Sequence, residues 1–149
     1  MRALVQRVSR AEVRVGNDVV GSIRAGLLVL LGVGRDDDAA VAIALARRIC
    51  ELRIFADDAG RTNRSLVDVG GAMLVVSQFT LYADTRRGRR PGFTAAALPE
   101  LAMPLYERFC AAVEDGGVTV ARGRFGAEMA VELVNDGPFT IWVDTAERG

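Results

Sequence analysis

Two short segments of this chain contain side chains whose types and spacing could do chemistry. Residues 77–80 read Ser-Gln-Phe-Thr at the end of an apolar run, and residues 135–140 read Asn-Asp-Gly-Pro-Phe-Thr between two strand-like runs. On the residues alone, the first segment is equally well a strand with alternating polar side chains. The second is a candidate hairpin turn, because Gly137 allows a positive φ and Pro138 fixes the next backbone angle. Both segments therefore need a further observation to decide their role.

The side chains that are absent narrow the possible chemistry. All 19 basic side chains are arginine, and the chain has no histidine. Without imidazole or lysine there is no Ser-His pair, Cys-His pair or Schiff base. Cys50 and Cys110 lie in helix-like apolar patterns and are expected to be buried, so we expect no metal site and no other cofactor. A hydrolase of this composition would have to use backbone amides, hydroxyls, carboxylates or the substrate itself.

Charge is balanced over the whole chain but not along it. The formal net charge is zero, so attraction to a nucleic acid would have to be local. The densest basic cluster directly follows the first segment, and no acidic residue balances it between positions 85 and 99. A solvated loop is the alternative, but this placement favours contact with phosphates. The cluster consists of Arg86, Arg87, Arg89 and Arg90.

The elements that must position these residues belong to an α+β domain spanning residues 1–149. Alternating and continuous apolar runs predict roughly eight strands. Asp36, Asp37 and Asp38 are expected to cap a first helix whose apolar positions run from Val41 to Leu52. A second helix is expected over residues 99–113. The predicted strands cover residues 2–8, 11–15, 19–23, 27–33, 52–56, 72–79, 118–120, 129–134 and 140–143.

Pro104 conflicts with a regular second helix that begins at Pro99. A proline in a helix interior cannot donate to the carbonyl four residues before it, at a cost of ~3 kcal/mol. We therefore expect either a kink at Pro104 or a helix that begins near Met103. No apolar run approaches the roughly 20 residues needed to cross a bilayer, and no signal sequence is recognisable. We expect a cytoplasmic protein with no membrane contact.

Four segments in matching order resemble the D-aminoacyl-tRNA deacylases, which hydrolyse the ester joining a D-amino acid to the 3′ end of tRNA. They are residues 1–8 (Met-Arg-Ala-Leu-Val-Gln-Arg-Val), 77–81 (Ser-Gln-Phe-Thr-Leu), 89–93 (Arg-Arg-Pro-Gly-Phe) and 135–140. The resemblance covers nearly the whole chain. It implies mostly antiparallel sheets that form a barrel-like core with two packed helices. It also implies a homodimer that binds aminoacyl-tRNA, with active sites at the subunit interface.

The resemblance implies that the segment around Gly137 and Pro138 selects the substrate by its handedness. In the family this peptide bond is cis, and its two carbonyl oxygens hold the substrate's α-ammonium group across the interface. A D side chain then points out of the pocket, whereas an L side chain collides with Pro138. Glycine escapes this filter, so mischarged glycyl-tRNA is expected as a second substrate. Arg7 matches a family arginine that anchors the segment, and Asn135 belongs to the same motif.

The resemblance also implies roles for the first segment. Ser77, Gln78, Phe79 and Thr80 form the floor of the site, where backbone N–H groups near Phe79 and Thr80 bind the ester oxygen as negative charge develops. Thr80 lacks a base, so we expect a positioning hydroxyl rather than a nucleophile. The terminal 2′-hydroxyl of tRNA is then expected to assist the attacking water. Phe125 and Met129, with Phe79, are expected to line the pocket for adenine and the amino acid.

One residue departs from the family pattern, and two other functions remain open. The family usually has serine where this chain has Gly92, so any hydroxyl contact there is lost. A non-catalytic RNA-binding module and an editing domain that acts on L-aminoacyl-tRNA are the alternatives. Turnover of D-aminoacyl-tRNA, with L-aminoacyl-tRNA spared, distinguishes the deacylase from both.

Overall fold

The structure, a computed structural model, describes residues 1–147, which contain a six-stranded, mixed, strongly curved sheet and a separate two-stranded antiparallel sheet of residues 55–56 and 62–64. The strands of the larger sheet run in the order β2-β1-β3-β6-β7, with β8 paired to the other side of β1. Pairs β1–β2, β1–β3 and β1–β8 are antiparallel, whereas β3–β6 and β6–β7 are parallel. The bounds are β1 (Arg2–Val15), β2 (Asp18–Ile23), β3 (Gly26–Gly32), β4 (Phe55–Ala56), β5 (Thr62–Arg64), β6 (Ala72–Ser77), β7 (Val120–Arg122) and β8 (Ala130–Asp144).

The sheet curls until its two ends touch, which gives the barrel-like shape that the sequence predicted. Strand β2 approaches β7 so closely at Gly21 that an added methyl group would overlap the carbonyl oxygen of Arg122. Only glycine fits where two backbones come this close. The predicted α+β fold is therefore confirmed.

Among residues 1–147, three helices accompany the sheet, not the two that the sequence predicted. They are α1 (Ala39–Glu51), the short α2 (Leu66–Val69) and α3 (Pro99–Asp115). Helix α2 escaped prediction because four residues are too few for a periodic apolar pattern. Its N-terminus is instead fixed by a capping box, in which Ser65 and Asp68 each accept a hydrogen bond from the other's backbone N–H. No helix among residues 1–147 is long and apolar enough to span a membrane.

The N-termini of α1 and α3 refine two predictions. Of the three aspartates before α1, only Asp38 caps the helix, accepting from the amide of Val41. Asp37 instead accepts from the amide of Gly34 and from the Met1 amino group, at 2.6 and 2.7 Å. Helix α3 begins at Pro99, so a start near Met103 was wrong. The helix runs on through Pro104, which lies on its exposed side.

Three predicted strands begin or end two or more residues outside the strands in the structure. Residues 52–54 are not part of a strand, because the carbonyl oxygen of Ile54 accepts from Arg7 at 2.6 Å instead of joining a ladder. Strand β6 ends at Ser77, and the chain then enters a 3₁₀ turn over Phe79–Tyr82. Strand β7 begins at Val120, two residues later than predicted.

Buried apolar side chains cover both faces of the central strands. The larger cluster lies between the sheet and helices α1 and α3, and the smaller one lies on the opposite face among β1, β2, β3 and β6. Cys50 and Cys110 belong to the larger cluster, as predicted. Burial raises the pKa of Cys50 to about 11 and that of Cys110 to about 12. Both thiols are therefore held in the unreactive protonated form.

The last strand is a single long element rather than a hairpin. Residues 130–135 and 140–144 of β8 both pair antiparallel with β1, from Ala130 opposite Arg14 to Asp144 opposite Arg2. The larger of two irregularities in this pairing occurs where residues 136–139 lie opposite Arg7, and a smaller one lies between Val8 and Arg10. The hairpin turn suggested by Gly137 and Pro138 was therefore wrong. These four residues form a bulge on one continuous strand, here called the Gly-Pro bulge.

Candidate active site

A cavity of about 530 Å³ opens at the carboxyl end of β6. The predicted site residues Ser77, Gln78 and Phe79 form one part of its wall, and Phe125 and Met129 form another. The structure thus brings together two segments that lie more than 40 residues apart in sequence. The remaining lining residues are Val33, Val76, Phe93, Ala96, Ala97, Leu98, Pro99, Ala102, Gly126, Ala127 and Val131.

Two unpaired backbone amides lie where β6 turns away from the sheet. The amide of Gln78 still donates to the carbonyl oxygen of Leu31 at 2.8 Å, but the next residues leave the ladder. In the hydrogen-bond network of residues 1–147, the amides of Phe79 and Thr80 donate to no protein acceptor. The first N–H groups of a helical turn have no partner within that turn. They can therefore stabilise negative charge on an oxygen bound there.

The side chains around these amides are polar or aromatic, and none of the cavity-lining residues is ionisable. Gln78 Nε2 donates to Thr80 Oγ1, which orients the exposed hydroxyl. Thr80 itself is not among the lining residues. No imidazole, amine or carboxylate lines the cavity to accept a proton from a hydroxyl. Among residues 1–147, the cavity lining therefore offers backbone groups, the Ser77 hydroxyl and the Gln78 amide, but no base.

Three phenylalanine side chains line the cavity, those of Phe79, Phe93 and Phe125. Phe79 and Phe93 meet edge to face with ring centroids 5.1 Å apart, and the Phe79 ring is 55% exposed. Phe125 packs against the buried Tyr106 at 5.9 Å, while Met129 packs against the smaller core cluster. Phe125 and Met129 therefore serve both the core and the cavity. Phe93 lies in one of the four segments that resemble the family, but no site role was predicted for it. Its aromatic side chain, two residues after Pro91, was the feature that could have marked it as a lining residue.

The Gly-Pro bulge is held by Arg7. The peptide bond between Gly137 and Pro138 is cis. Arg7 Nε donates to the carbonyl oxygen of Asp136 at 3.0 Å, and Arg7 Nη2 donates to that of Gly137 at 3.2 Å. Nη1 donates to Ile54, and the guanidinium lies 4.7 Å from the ring centroid of Phe139. Arg7 thus ties the bulge to the loop after α1.

The Asp136 carboxylate completes this arrangement. It lies 3.2 Å from Arg7 Nε and is itself 58% exposed, whereas the Arg7 side chain is 12% exposed. The pair neutralises the guanidinium directly beside Gly137. Pro138 has no partner in the β1–β8 register, and no side chain among residues 1–147 donates to its carbonyl oxygen. That oxygen and the second lone pair of the Gly137 oxygen remain available to a ligand.

The cavity and the Gly-Pro bulge lie at opposite ends of the same sheet. Strand pairing places Ser77 level with Leu31 of β3, at the end of β6. It places Asn135 level with Val8, Gly26 and Ala72, at the start of β6. Five residue steps of a strand span about 17 Å, and β3 and β1 lie between the two segments. One chain therefore does not bring Gly137 and Pro138 to its own cavity.

The arginine cluster forms a closed loop beside the cavity mouth. Asp84 and Gly92 exchange backbone hydrogen bonds of 2.7 and 2.9 Å at its base, next to Phe93. Arg86 is not free, because its Nε and Nη2 donate to the Asp84 carboxylate at 2.8 and 2.7 Å. This pairing holds the pKa of Asp84 well below its usual range. Asp84 was missed because it lies one residue before the stretch searched for acidic partners.

Arg87, Arg89 and Arg90 are exposed and make no ion pair within residues 1–147. Three unpaired guanidinium groups on one short loop suit contact with a polyanion. No group of three or more metal-ligating side chains is arranged around a common point in the part of the chain described.

Comparison with known proteins agrees with this geometry. The sequence profile described as D-Tyr-tRNA(Tyr) deacylase matches residues 4–144. The D-aminoacyl-tRNA deacylase of Roseiflexus sp. (strain RS-1) is 62% identical over 98% of this chain and 94% of its own length. The D-aminoacyl-tRNA deacylase of Thermus aquaticus is 55% identical over 99% of this chain and 97% of its own.

A solved structure of similar fold extends the comparison. The c-Myc DNA Unwinding Element Binding Protein superposes with a TM-score of 0.91 at 36% identity, covering 97% of this chain and 99% of that one. The matched profile spans almost all of the described residues, including the cavity and the Gly-Pro bulge. The chain therefore belongs to the D-Tyr-tRNA(Tyr) deacylase family, a family of hydrolases.

Proposed function

We propose that the protein hydrolyses the ester bond of D-aminoacyl-tRNA, releasing the D-amino acid and free tRNA. The observation that carries this proposal is a pair of unpaired amides, at Phe79 in the cavity wall and at the adjacent Thr80, beside a cavity lined by no ionisable side chain. Such a site can stabilise a tetrahedral oxyanion but cannot activate a nucleophile of its own. Membership of the deacylase family agrees with an ester substrate.

The reaction needs a proton acceptor that the cavity does not contain. In the proposed mechanism, a water oxygen attacks the ester carbonyl carbon while the amides of Phe79 and Thr80 bind the carbonyl oxygen. The terminal 2′-hydroxyl takes the water proton and passes its own to the departing 3′ oxygen, so that protons balance. Thr80 orients the substrate through its hydroxyl. Ser77 and Gln78 complete the floor on which the ester rests.

Selection by handedness requires the Gly-Pro bulge, and we assign it to the partner subunit of a homodimer. A bulge about 17 Å away along the sheet cannot close its own cavity, but a second copy can supply one. The Pro138 and Gly137 oxygens bind the α-ammonium group, and Asp136 offsets the positive charge of Arg7 beside it. A D side chain then leaves the pocket, whereas an L side chain meets Pro138. Glycyl-tRNA is also a substrate, because glycine has no side chain to meet Pro138.

The exposed arginines on the loop after Asp84 bind tRNA phosphates, and the enzyme works in the cytoplasm. Each neutralised phosphate contributes roughly one unit to the slope of log affinity against log salt concentration. Replacing Arg87, Arg89 or Arg90 by glutamine should each lower that slope. Arg86→Gln should change it less, since its guanidinium is already paired with Asp84. Arg47→Gln, on the exposed face of α1, is the matched control.

Turnover assays test the proposed activity directly. D-tyrosyl-tRNA should be hydrolysed catalytically and L-tyrosyl-tRNA spared, and EDTA should have no effect. Binding without turnover would establish the RNA-binding module instead, and inverted chirality would establish an L-aminoacyl editing domain. A substrate with a terminal 2′-deoxyadenosine that binds normally but is cleaved at the full rate would exclude assistance by the 2′-hydroxyl.

Mixing two inactive variants tests the shared site. A variant defective at the bulge, such as Arg7→Ala, is mixed with one that lacks an oxyanion amide, such as Phe79→Pro. If each site uses one chain's cavity and its partner's bulge, random exchange of subunits leaves about a quarter of the sites intact. Recovery of activity on mixing is expected. No recovery, with subunit exchange demonstrated, would contradict a site shared between two chains.

A further inference from the structure

The two residues that bound the Gly-Pro bulge are joined across its base by side-chain hydrogen bonds. Asn135 pairs with Val8 before the bulge, and Thr140 pairs with Gln6 after it. Thr140 Oγ1 donates to Asn135 Oδ1 at 3.3 Å and accepts from Gln6 Nε2 at 3.2 Å. Side-chain hydrogen bonds therefore connect the two ends of the bulge. This set of contacts is here called the Asn-Thr clasp.

Both side-chain amide hydrogens of Asn135 are donated to backbone carbonyl oxygens of the protein. Its Nδ2 donates to the carbonyl oxygen of Arg7 on β1 at 2.9 Å and to that of Phe139 at 3.1 Å. An asparagine amide has two N–H donors, so none is left for a ligand. The expectation that Asn135 binds substrate does not fit these contacts.

The clasp lies directly against the proposed selecting residues. A methyl group built on Gly137 would be 3.9 Å from Asn135 Oδ1, which is ordinary van der Waals contact. Arg7 holds the carbonyl oxygens of Asp136 and Gly137, while Asn135 holds that of Phe139. Among residues 1–147, Pro138 is the one bulge residue whose carbonyl oxygen accepts from no side chain.

We infer that Asn135 and Thr140 are positioning residues that set the chiral selectivity of the site without touching the substrate. The inference rests on the proposed function, in which Pro138 excludes an L side chain. Steric exclusion requires Pro138 to keep its position, because a shift of about 1 Å at a site can change a rate on the order of 100-fold. The clasp supplies that rigidity at the base of residues 136–139, which have no partners in the β1–β8 register.

Conservative substitutions separate the clasp from general stability. Asn135→Asp keeps the shape but removes both donors and places a carboxylate beside the Arg7 and Phe139 carbonyls. The ratio of kcat/KM for D-tyrosyl-tRNA to that for L-tyrosyl-tRNA should fall at least tenfold, mainly because the L substrate gains access. Thr140→Val should lower the ratio several-fold. Thr140→Ser keeps the hydroxyl and should restore it.

The experiment measures both substrates with each variant, together with the urea midpoint of unfolding. Asn17→Asp in the β1–β2 turn and Thr119→Val before β7 are matched controls, because both residues are exposed and neither side chain is hydrogen-bonded within residues 1–147. Both controls should leave the ratio unchanged. If Asn135→Asp does not fold, the comparison of Thr140→Val with Thr140→Ser decides the question.

Each outcome has a separate meaning. Equal losses for the D and L substrates, or an unchanged ratio in Asn135→Asp and Thr140→Val, would overturn the inference and leave the proposed function intact. Failure of the proposed function shows in the wild-type protein itself, as equal cleavage of both substrates. A lowered ratio rescued by Thr140→Ser supports the clasp, since a purely structural role would lower both rates together.

Discussion

Residues 77–80 at the end of β6 and the Gly-Pro bulge of β8 are held in place by different means. Strand β6 lies inside the sheet between β3 and β7, and four of its six residues are buried. Its neighbours' backbones fix the direction in which Phe79 and Thr80 leave the strand. The bulge lies on an exposed edge strand, and side chains from β1 and β8 hold its carbonyl oxygens.

This difference predicts a division of labour under mutation. Backbone ladders tolerate most side-chain changes, so the proposed oxyanion site should be robust to substitutions near it. The bulge depends on a few side chains, each of which supports several backbone groups. Substitutions in its supports should therefore damage selectivity and stability, whereas substitutions beside the cavity should mainly change rate.

Replacement of Arg7 should give the largest effect. Arg7→Ala removes donors to Ile54, Asp136 and Gly137, and it leaves the nearly buried Ile54 carbonyl unpaired. Hydrogen bonds to a charged group contribute about 1.5–3 kcal/mol each, and a buried unpaired group costs a similar amount. We expect a loss of about 2–4 kcal/mol in the free energy of unfolding and ~100-fold in kcat/KM for D-tyrosyl-tRNA.

Arg10→Ala on the same strand is the control for Arg7→Ala. Arg10 pairs with Glu132 at 3.3 Å, and both side chains are more than half exposed. Such a surface pair is worth under about 1 kcal/mol. Arg7→Lys should recover only part of the loss, since an ammonium lacks the planar fork of five donors. If Arg7→Ala and Arg10→Ala behave alike in urea unfolding and in kinetics, the bulge does not depend on its side-chain supports.

Thr80→Val should have a smaller effect and tests the opposite region. The variant removes the hydroxyl that accepts from Gln78 but keeps the Thr80 backbone amide. If the hydroxyl only positions the substrate, kcat should fall by about 10-fold or less, in line with the loss of one hydrogen bond. A nucleophilic hydroxyl would instead make the loss essentially complete. Single-turnover rates with D-tyrosyl-tRNA, and a search for a covalent aminoacyl-enzyme by mass spectrometry, distinguish the two.

The same contrast explains how much could be predicted from the sequence. The buried strands and both long helices follow from local apolar patterns, and the structure confirms them. The Gly-Pro bulge was mistaken for a hairpin turn on pattern alone, because glycine and proline mark both features equally well. What distinguishes them is that β1 is long enough to pair with both halves of β8. That information lies more than a hundred residues away in the chain.

Long-range partners account for the other errors as well. Arg86 is paired with an acid just outside the stretch considered, and Asp37 with the distant Met1 amino group rather than with α1. The hydrogen bonds that Asn135 donates to Arg7 and Phe139 could not be predicted from a local pattern either. Family resemblance identified the participants. Only coordinates could show which of them contact each other.

A nearly flat response to pH is the third expectation. Hydrogen bonds from Arg86 lower the pKa of Asp84, and hydrogen bonds involving Arg14 and Ser65 do the same for Glu12 and Asp68. Carboxylates with lowered folded pKa values contribute stability that is present above about pH 5 and lost as pH falls further. Burial raises the pKa of the thiols and of Tyr82 and Tyr106.

Since these groups do not change charge near neutrality and the chain has no histidine, both regions should respond alike to pH. Between about pH 5.5 and 7.0 we expect kcat to change less than threefold and the free energy of unfolding by less than ~1 kcal/mol. Stopped assays with D-tyrosyl-tRNA and urea unfolding at each pH provide the measurement. A steep acid limb in kcat near pH 6 would reveal a protein base that the cavity does not contain.

Gly92→Ser should have the smallest effect, although it lies at the base of the arginine loop and restores the residue that the family usually has there. A Cβ built on Gly92 meets nothing within 4 Å, and its φ does not lie in the left-handed region that favours glycine. The change should stay within ~0.5 kcal/mol in stability and within about twofold in kcat/KM, because the bridge to Asp84 uses only backbone atoms. Urea unfolding and the salt dependence of tRNA binding provide the check. A marked gain in affinity would show that the serine hydroxyl contacts RNA, and the loop would then depend on side chains, as the Gly-Pro bulge does, rather than on backbone pairing.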